Sequence, residues 1–474
     1  MSISLSATSR ILPAPGASAA RAHLVGIAGS GMRSLADVLD AAGWSVTGTD
    51  LRTEALADVP YRVVGTDPPQ NIDSSIGVLV YSDAVPPDDP ELVRARELGV
   101  PTLSYPQMLG HMLDARRGVA VAGTHGKSTT TAMAGEILAT AGMDPTVVYG
   151  AVPVESRSGS RFGRGRWMLA EACEYRENFH HLRPQIALLL GIELDHVDYY
   201  GTLADVEAAF AKFVRQVSPE GLTLARADCA VTRRVVEHAR CPVETFGTTH
   251  EATWQAASLR NRRGHYSFQL RCRRRRVGEV KMRLPGLHNV QNALAAAALA
   301  SHCGASGRDI RIGLERFSGL RRRLEPVADE SSLTVIDDYA HHPTEVSAAL
   351  TTVRQMYPGR RVWCVFEPHQ ASRTLRMLDD FARALHNADK IIVADICRAR
   401  ETQVAAEPVT AADLVERTSQ SGADVVFAPR TCDITQHLHH SLEPGDVVVT
   451  LGAGDIGAVA HDLRQGLRTI RKAG

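Results

Sequence analysis

The chain lacks any excess of charge: 53 basic side chains face 53 acidic ones in 474 residues. With a formal net charge of zero, no overall field recruits nucleic acid or an anionic membrane, so any anionic ligand must be held locally. Paired cysteines are missing too. The eight cysteines, at 173, 229, 241, 272, 303, 364, 397 and 432, form no C-x-x-C pair and none of the spacing of a zinc or disulfide framework. A reducing, cytoplasmic setting is expected. No apolar run approaches the roughly 20 residues that cross a bilayer, so no membrane partner is predicted. Residues 1–20 carry one arginine and no acid; they lack the repeated arginines of a transit peptide and the apolar segment of a secretory leader. They are expected to be a disordered tail. No short-period repeat suggests a solenoid.

What the chain does have is length. At roughly 150 residues per domain, it predicts about three. From His23 an apolar strand (HLVGI), a glycine turn, a helix-like stretch to Ala42 and a second strand ending at Asp50 make a βαβ opening. A second cycle of strand, glycine loop and helix begins at 118-GVAVAGTHGK-127, and a third begins with 333-LTVIDDY-339. The prediction is α/β, three domains in series over 21–117, 118–326 and 327–474, with parallel sheets covered by helices. The run RCRRRR at 271–276 lies in an alternating stretch, which reads as a solvated hairpin face rather than an RNA-binding patch.

The strongest motif is 118-GVAVAGTHGKSTTTAMAGEIL-138, an apolar strand feeding a glycine loop and then a helix. Without side chains at Gly123 and Gly126 the backbone amides can turn toward phosphate oxygens at the positive end of that helix. Lys127 supplies a point charge for the terminal phosphates, and the Ser128 hydroxyl is a Mg²⁺ ligand. The strict phosphate-loop pattern has glycine where this chain has Val121, so the loop is a shorter G-x-x-G-K-S-T variant. An ordinary turn before a helix is the bland alternative.

A second loop, 26-GIAGSGM-32, matches the dinucleotide fingerprint except at Ala28, with Asp50 placed for a ribose or base contact. It suits a nucleotide or diphosphate near the first helix; simple tight packing is the alternative, and a nicotinamide-dependent dehydrogenase is a rival reading of the loop. Two acidic clusters, 171-EACE-174 and 193-ELDH-196, end apolar strands, where Glu171 and His196 can converge with Ser128 on phosphates. His288, Asn289 and Asn292 in 286-GLHNVQNALAA-296 are either ligand contacts or helix caps. The segment 337-DDYAHHPTEV-346 gathers too many polar groups for core packing, and 367-EPHQASRT-374 offers His369 and Arg373 as anchors for carboxylate or phosphate.

In this order, GIAGSGM, YSDAVP, VAVAGTHGKSTTT, EACE, ELDH with DYYG, LHNVQNALAA, DDYAHHPTEV, PHQASRT and LGAGDIG resemble the Mur ligase family, from His23 to about Gly457. The resemblance implies a Rossmann-like UDP-binding domain, a central phosphate-loop ATPase domain and a C-terminal Rossmann-like domain. It implies an ATP- and Mg²⁺-dependent ligase that joins L-alanine to UDP-N-acetylmuramate through an acyl phosphate, as a monomer or homodimer. Carried over by residue, Gly26, Ser30, Gly31 and Asp50 serve the UDP-sugar. Gly123, Thr124, His125, Gly126, Lys127, Ser128 and Thr129 hold the ATP phosphates, and Ser128, Glu171 and His196 surround Mg²⁺. His288, Asn289 and Asn292 contact the nucleoside, with Arg322, Arg323 and Asp338 completing the ATP site. Tyr339, His341, His342, His369 and Arg373 face the muramyl carboxylate and the incoming amino acid.

This chain departs from the family pattern at several places. Ala28 replaces a glycine, Gly191 an asparagine and Cys173 an aspartate, while Glu367 stands for glutamine and Gln370 for arginine. A cation missing near the amino-acid site bears on which amine is joined, and a recycling ligase that attaches a preformed tripeptide is the nearest alternative.

Overall fold

The computed structural model describes residues 20–51, 59–65, 71–156, 158–398 and 409–473; of the expected tail 1–20, all but Ala20 lie outside these. Three sheets follow one another along the chain. The first is parallel, in the order Arg62–Val64, Ser45–Thr49, Arg21–Val25, Val78–Tyr81, Thr102–Ser104. The order reverses at Arg21–Val25, so the loop after that strand opens at a topological switch point, where such sheets bind ligands.

The second sheet centres on Arg117–Ala122, flanked by Ile186–Leu189 and Trp167–Glu171. Covered on both faces, Arg117–Ala122 is apolar and buried from Gly118 onward rather than alternating. At one edge the sheet turns antiparallel, through His265–Cys272 and Arg275–Pro285. The turn between them holds Arg273 and Arg274 at positive φ, and residues 273–276 are exposed, so the arginine run is a solvated hairpin tip. The third sheet runs Glu325–Asp329, Leu333–Asp338, Asp446–Leu451, Val362–Phe366, Lys390–Val393, Val425–Phe427, with the first strand antiparallel.

The hydrophobic cores are not divided equally. One cluster runs without a break from Leu24, Leu35 and Met108 of the first domain into Ala122, Ala170 and Phe210 of the second. The third sheet has clusters of its own, on its two faces. A continuous apolar core resists relative motion. The first two domains are therefore one packed body, and the third meets it through Leu194 and Val197, which pack against the third domain's core, as well as through polar side chains. Among the described residues no helix is long and apolar enough to cross a membrane.

Candidate functional site

The phosphate loop joins strand Arg117–Ala122 to helix Lys127–Thr140. Gly126 has φ +81°, and a methyl there would sit 2.4 Å from Asn292 Oδ1. At Gly123, φ +134°, a methyl would lie 2.6 Å from Leu190 Cβ. Both positions therefore exclude a side chain, and glycine there lets Leu190 and Asn292 close on the loop backbone. Lys127 Nζ donates to Gly123 O at 2.7 Å and Thr124 O at 3.1 Å, and lies 2.9 Å from Glu174 Oε2. Burial opposes the ammonium charge, but the Glu174 carboxylate outweighs it and raises the lysine pKa.

Two pairs of side chains sit over this loop. Ser128 Oγ donates to Glu171 Oε2 at 2.8 Å, and Gly150 N donates to the same oxygen at 3.0 Å. His196, in the left-handed region at φ +51°, places Nε2 3.6 Å from Glu174 Oε1. His196 is thus grouped with Glu174 and Lys127, while Ser128 is grouped with Glu171. Hydroxyl and carboxylate oxygens side by side are the donor set that magnesium prefers. The first domain reaches this point. A methyl at Gly150 would touch Ser30 Oγ at 3.4 Å and Glu171 Oε2 at 3.8 Å, and one at Gly31 would lie 2.9 Å from the Tyr105 ring. Gly26, at φ +80°, starts that first loop, and Asp50 Oδ2 accepts from Ala28 N at 2.8 Å, bracing it.

A cavity of about 410 Å³ opens beside the phosphate loop, between the second and third domains. Its walls include His125, Gly126, Thr129, His288, Asn289, Asn292 and Arg323 from the second domain, with Asp338 and Glu345 from the third. The helix Leu287–Cys303 has no side-chain cap; Asn289 Nδ2 instead donates to Pro285 O at 2.7 Å, and Asn292 Nδ2 to Asn289 Oδ1 at 3.2 Å. Capping thus does not account for these amides. Burial, aided by Arg323, pushes His288 down to about 4, so it is a neutral imidazole at pH 7. Asp338 is raised to about 6, chiefly by burial, and both its oxygens are engaged, by Leu324 N and Ala340 N. Arg322 is turned elsewhere: it donates to Asp337 Oδ2 at 3.2 Å and Gly452 O at 2.7 Å. The Tyr339 ring lies under both guanidinium groups, 5.2 Å from Arg322 and 5.2 Å from Arg323.

The seam between the second and third domains is held by polar ties. His125 Nδ1 lies 3.0 Å from Glu345 Oε1 and Nε2 lies 3.6 Å from Glu193 Oε2. Thr344 Oγ1 donates to Glu193 Oε2 at 2.6 Å. Arg373 Nε and Nη2 donate to Asp195 Oδ1 at 2.9 and 2.8 Å, and Nη1 donates to His369 O at 3.0 Å. His342 spends Nδ1 accepting from Thr344 N, at the start of helix Pro343–Met356, and pairs Nε2 with Leu194 O at 3.2 Å. Although His125, Glu193 and His342 place ligand atoms within 4.8 Å of one another, His342 therefore has no lone pair to spare. His341 pairs Nδ1 with Tyr339 O at 3.0 Å, its ring 5.7 Å from that of His369. Burial brings His341 down to about 4.

The residues that sequence reasoning passed over are Glu174, Glu193, Asp195 and Glu345. Each lies inside a motif already singled out, but spacing alone does not say which carboxylate of EACE or ELDH points at the loop. Glu345 lies in the first turn of helix Pro343–Met356, where its carboxylate accepts from the backbone N–H of His341 at 3.2 Å.

The charged state of His125 has a measurable consequence. Burial opposes its protonation, but Glu345 and Glu193 prevail and raise it to about 9. The tie is therefore fully present below the ordinary imidazole value of roughly 6.5 and is lost as pH rises through about 9. Its loss costs on the order of 3 kcal/mol at the limit. The unfolding midpoint of the native chain is expected to fall across this window, and that of His125→Asn to stay nearly level. Parallel profiles for the two proteins would contradict the assignment.

A strand, phosphate loop and helix, with carboxylates over the lysine and a nucleoside-sized cavity beside it, define a nucleotide-using phosphate-loop enzyme. Comparison with known proteins makes this specific. Family models match along the chain: Mur ligase family, catalytic domain, over residues 21–117; Mur ligase middle domain over 121–300; and Mur ligase, glutamate ligase domain, over 322–454. The chain is 39% identical over 439 residues to a UDP-N-acetylmuramate–L-alanine ligase of Salinibacter ruber, covering 92% of each. It is 36% identical to the enzyme of that name from Acetivibrio thermocellus, over 93% of this chain and 94% of that one. The crystal structure of UDP-N-acetylmuramate-alanine ligase from Thermotoga maritima superposes with a TM-score of 0.79 at 25% identity, covering 95% of this chain and 99% of that one. The chain belongs to the Mur ligase family.

Proposed function

We propose that this chain is the ATP-dependent ligase that joins L-alanine to UDP-N-acetylmuramate, with ADP and phosphate as the other products. The observation that carries the reading is the likeness, over more than nine-tenths of both chains, to relatives that bear that name. It is supported by the meeting of Ser30, Gly150 and Glu171, which brings the first domain's loop against the phosphate loop. A nicotinamide dehydrogenase would leave GTHGKST without a task.

Gly26, Ser30, Gly31 and Asp50 would bind the UDP-sugar, aiming its lactyl carboxylate toward the phosphate loop. Gly123, Thr124, His125, Gly126 and Thr129 would cradle the ATP phosphates, with His288, Asn289, Asn292, Arg323 and Asp338 around the nucleoside and Arg322 braced behind them. The carboxylate oxygen attacks the γ-phosphorus and ADP departs, while Lys127 leaves Glu174 to neutralise the developing charge. Ser128 and Glu171, with Glu174 and His196 beside them, would hold Mg²⁺, which would supply further charge neutralisation on the phosphates. The amine of L-alanine then attacks the acyl phosphate, and a tetrahedral intermediate expels phosphate. Tyr339, His341, His369 and Arg373 would line the place of that amine, and His342 would fix the start of their helix. Closure of the third domain keeps water from the activated acid.

The test is to supply UDP-N-acetylmuramate and ATP with either L-alanine or the murein tripeptide, and to follow phosphate release and product mass. Stimulation by L-alanine is expected; stimulation by the tripeptide alone would replace this reading with the recycling one, which Gln370 makes worth including. For Ser128→Ala, the Mg²⁺ concentration giving half-maximal turnover is expected to rise about tenfold. An unchanged titration would remove Ser128 from the metal site.

A further inference from the structure

Arg373 is among the largest fully buried side chains of the protein, at 2% exposure, and its carboxylate partner comes from another domain. Its hydrogen bonds engage Nε and one hydrogen of Nη2 on Asp195 Oδ1, and Nη1 on His369 O and His369 Nδ1. Among the described residues, only the second Nη2 hydrogen of the guanidinium finds no partner. The same Asp195 oxygen also accepts from His196 N at 2.7 Å, holding His196 at φ +51°. One carboxylate oxygen thus connects the group facing Glu174 with the arginine on the far side of the seam.

Burying both charges cancels most of their attraction, so a pair of this kind adds little net stability. What it fixes is direction. A free guanidinium on a rotamer-rich side chain would sample many orientations; here Asp195 and His369 grip it on two edges, leaving one N–H course.

We infer that Asp195 is the positioning residue of the amino-acid site. It orients Arg373 so that the remaining Nη2 hydrogen meets the carboxylate of the incoming amino acid, and it does so from the second domain. The amino-acid site is therefore complete only when the third domain sits in register on the second. This rests on the proposed role of Arg373 in receiving that carboxylate.

The experiment compares Asp195→Asn, Asp195→Glu and Arg373→Lys in steady state, with UDP-N-acetylmuramate, ATP and L-alanine varied in turn. For Asp195→Asn, KM for L-alanine is expected to rise about tenfold or more, with kcat at saturating L-alanine and the KM values for the other substrates within about threefold. The unfolding midpoint is expected to fall in either case, because the buried guanidinium loses its counter-charge; a merely structural pair would instead degrade every kinetic parameter together. Asp195→Glu keeps the charge but displaces it by a methylene, and is expected to give an intermediate L-alanine KM; it serves if the asparagine variant does not fold. A folded Asp195→Glu or Asp195→Asn protein with the native L-alanine KM overturns the inference. If Arg373→Lys also leaves that KM unchanged, the role of Arg373 itself fails; if Arg373→Lys raises it while the Asp195 variants do not, the positioning role alone is lost.

Discussion

Replacing Lys127 with alanine is expected to abolish turnover, by on the order of 10³-fold or more, while the chain still folds. The lysine is held by two loop carbonyls and by Glu174, within a segment whose remaining backbone is fixed by Gly123, Gly126 and the helix that follows. Removing it takes away the ammonium that would meet the transferring phosphoryl group. It also leaves Glu174 buried without its ammonium partner and with His196 Nε2 3.6 Å away, so some loss of stability accompanies the loss of rate. The measurement is product formation by mass spectrometry beside a thermal unfolding scan. A folded variant retaining a tenth or so of native turnover would remove the phosphate loop from the mechanism.

The second large effect is expected at Gly126. Alanine there must adopt φ +81°, and its methyl must displace the Asn292 amide from 2.4 Å. The left-handed conformation alone costs about 1 kcal/mol, and the clash moves either the loop or the start of helix Leu287–Cys303. Both carry residues that line the cavity beside the phosphate loop. Gly126→Ala is therefore expected to weaken ATP binding about a hundredfold, read by calorimetry with a non-hydrolysable analogue. Gly142, also at positive φ but with open space around it, is the control, and Gly142→Ala is expected to bind ATP normally. Equal losses in the two variants would mean that backbone strain, not the approach to Asn292, sets the effect.

Much of the architecture was legible in the sequence because its strands are short apolar runs cut off by glycine loops. HLVGI, GVAVAG, IALLLGI and LTVIDDY each became a strand ending at the site. The hairpin was legible from alternation, and its arginines are exposed as the pattern requires. The fusion of the first two cores was not, because no local period records which faces of two sheets share a cluster. At the site, chemistry located the motifs but not the pairings. Glu171 was an evident ligand candidate, yet the carboxylate that meets Lys127 and His196 is Glu174, three residues on. Arg322 and Arg323 are neighbours in sequence, but the positive φ of Arg322, 55°, sends one toward Asp337 and leaves the other at the cavity. Long-range partners such as Asp195 with Arg373 follow from domain docking, which a single sequence does not encode at short range.

The ties across the seam also carry a rule of mutual exclusion. The second domain offers the cationic His125 and the anionic Asp195, and the third answers with the anionic Glu345 and the cationic Arg373. Each surface therefore bears both signs, and the contrast between them fades within a Debye length of roughly 8 Å at physiological salt. Such a pattern contributes little to drawing the domains together from afar. Its force lies in punishing misalignment: exchanging the partners would set Arg373 against His125 and Glu345 against Asp195, both like-charged. The docking works as a keyed coupling, indifferent at a distance and selective on contact.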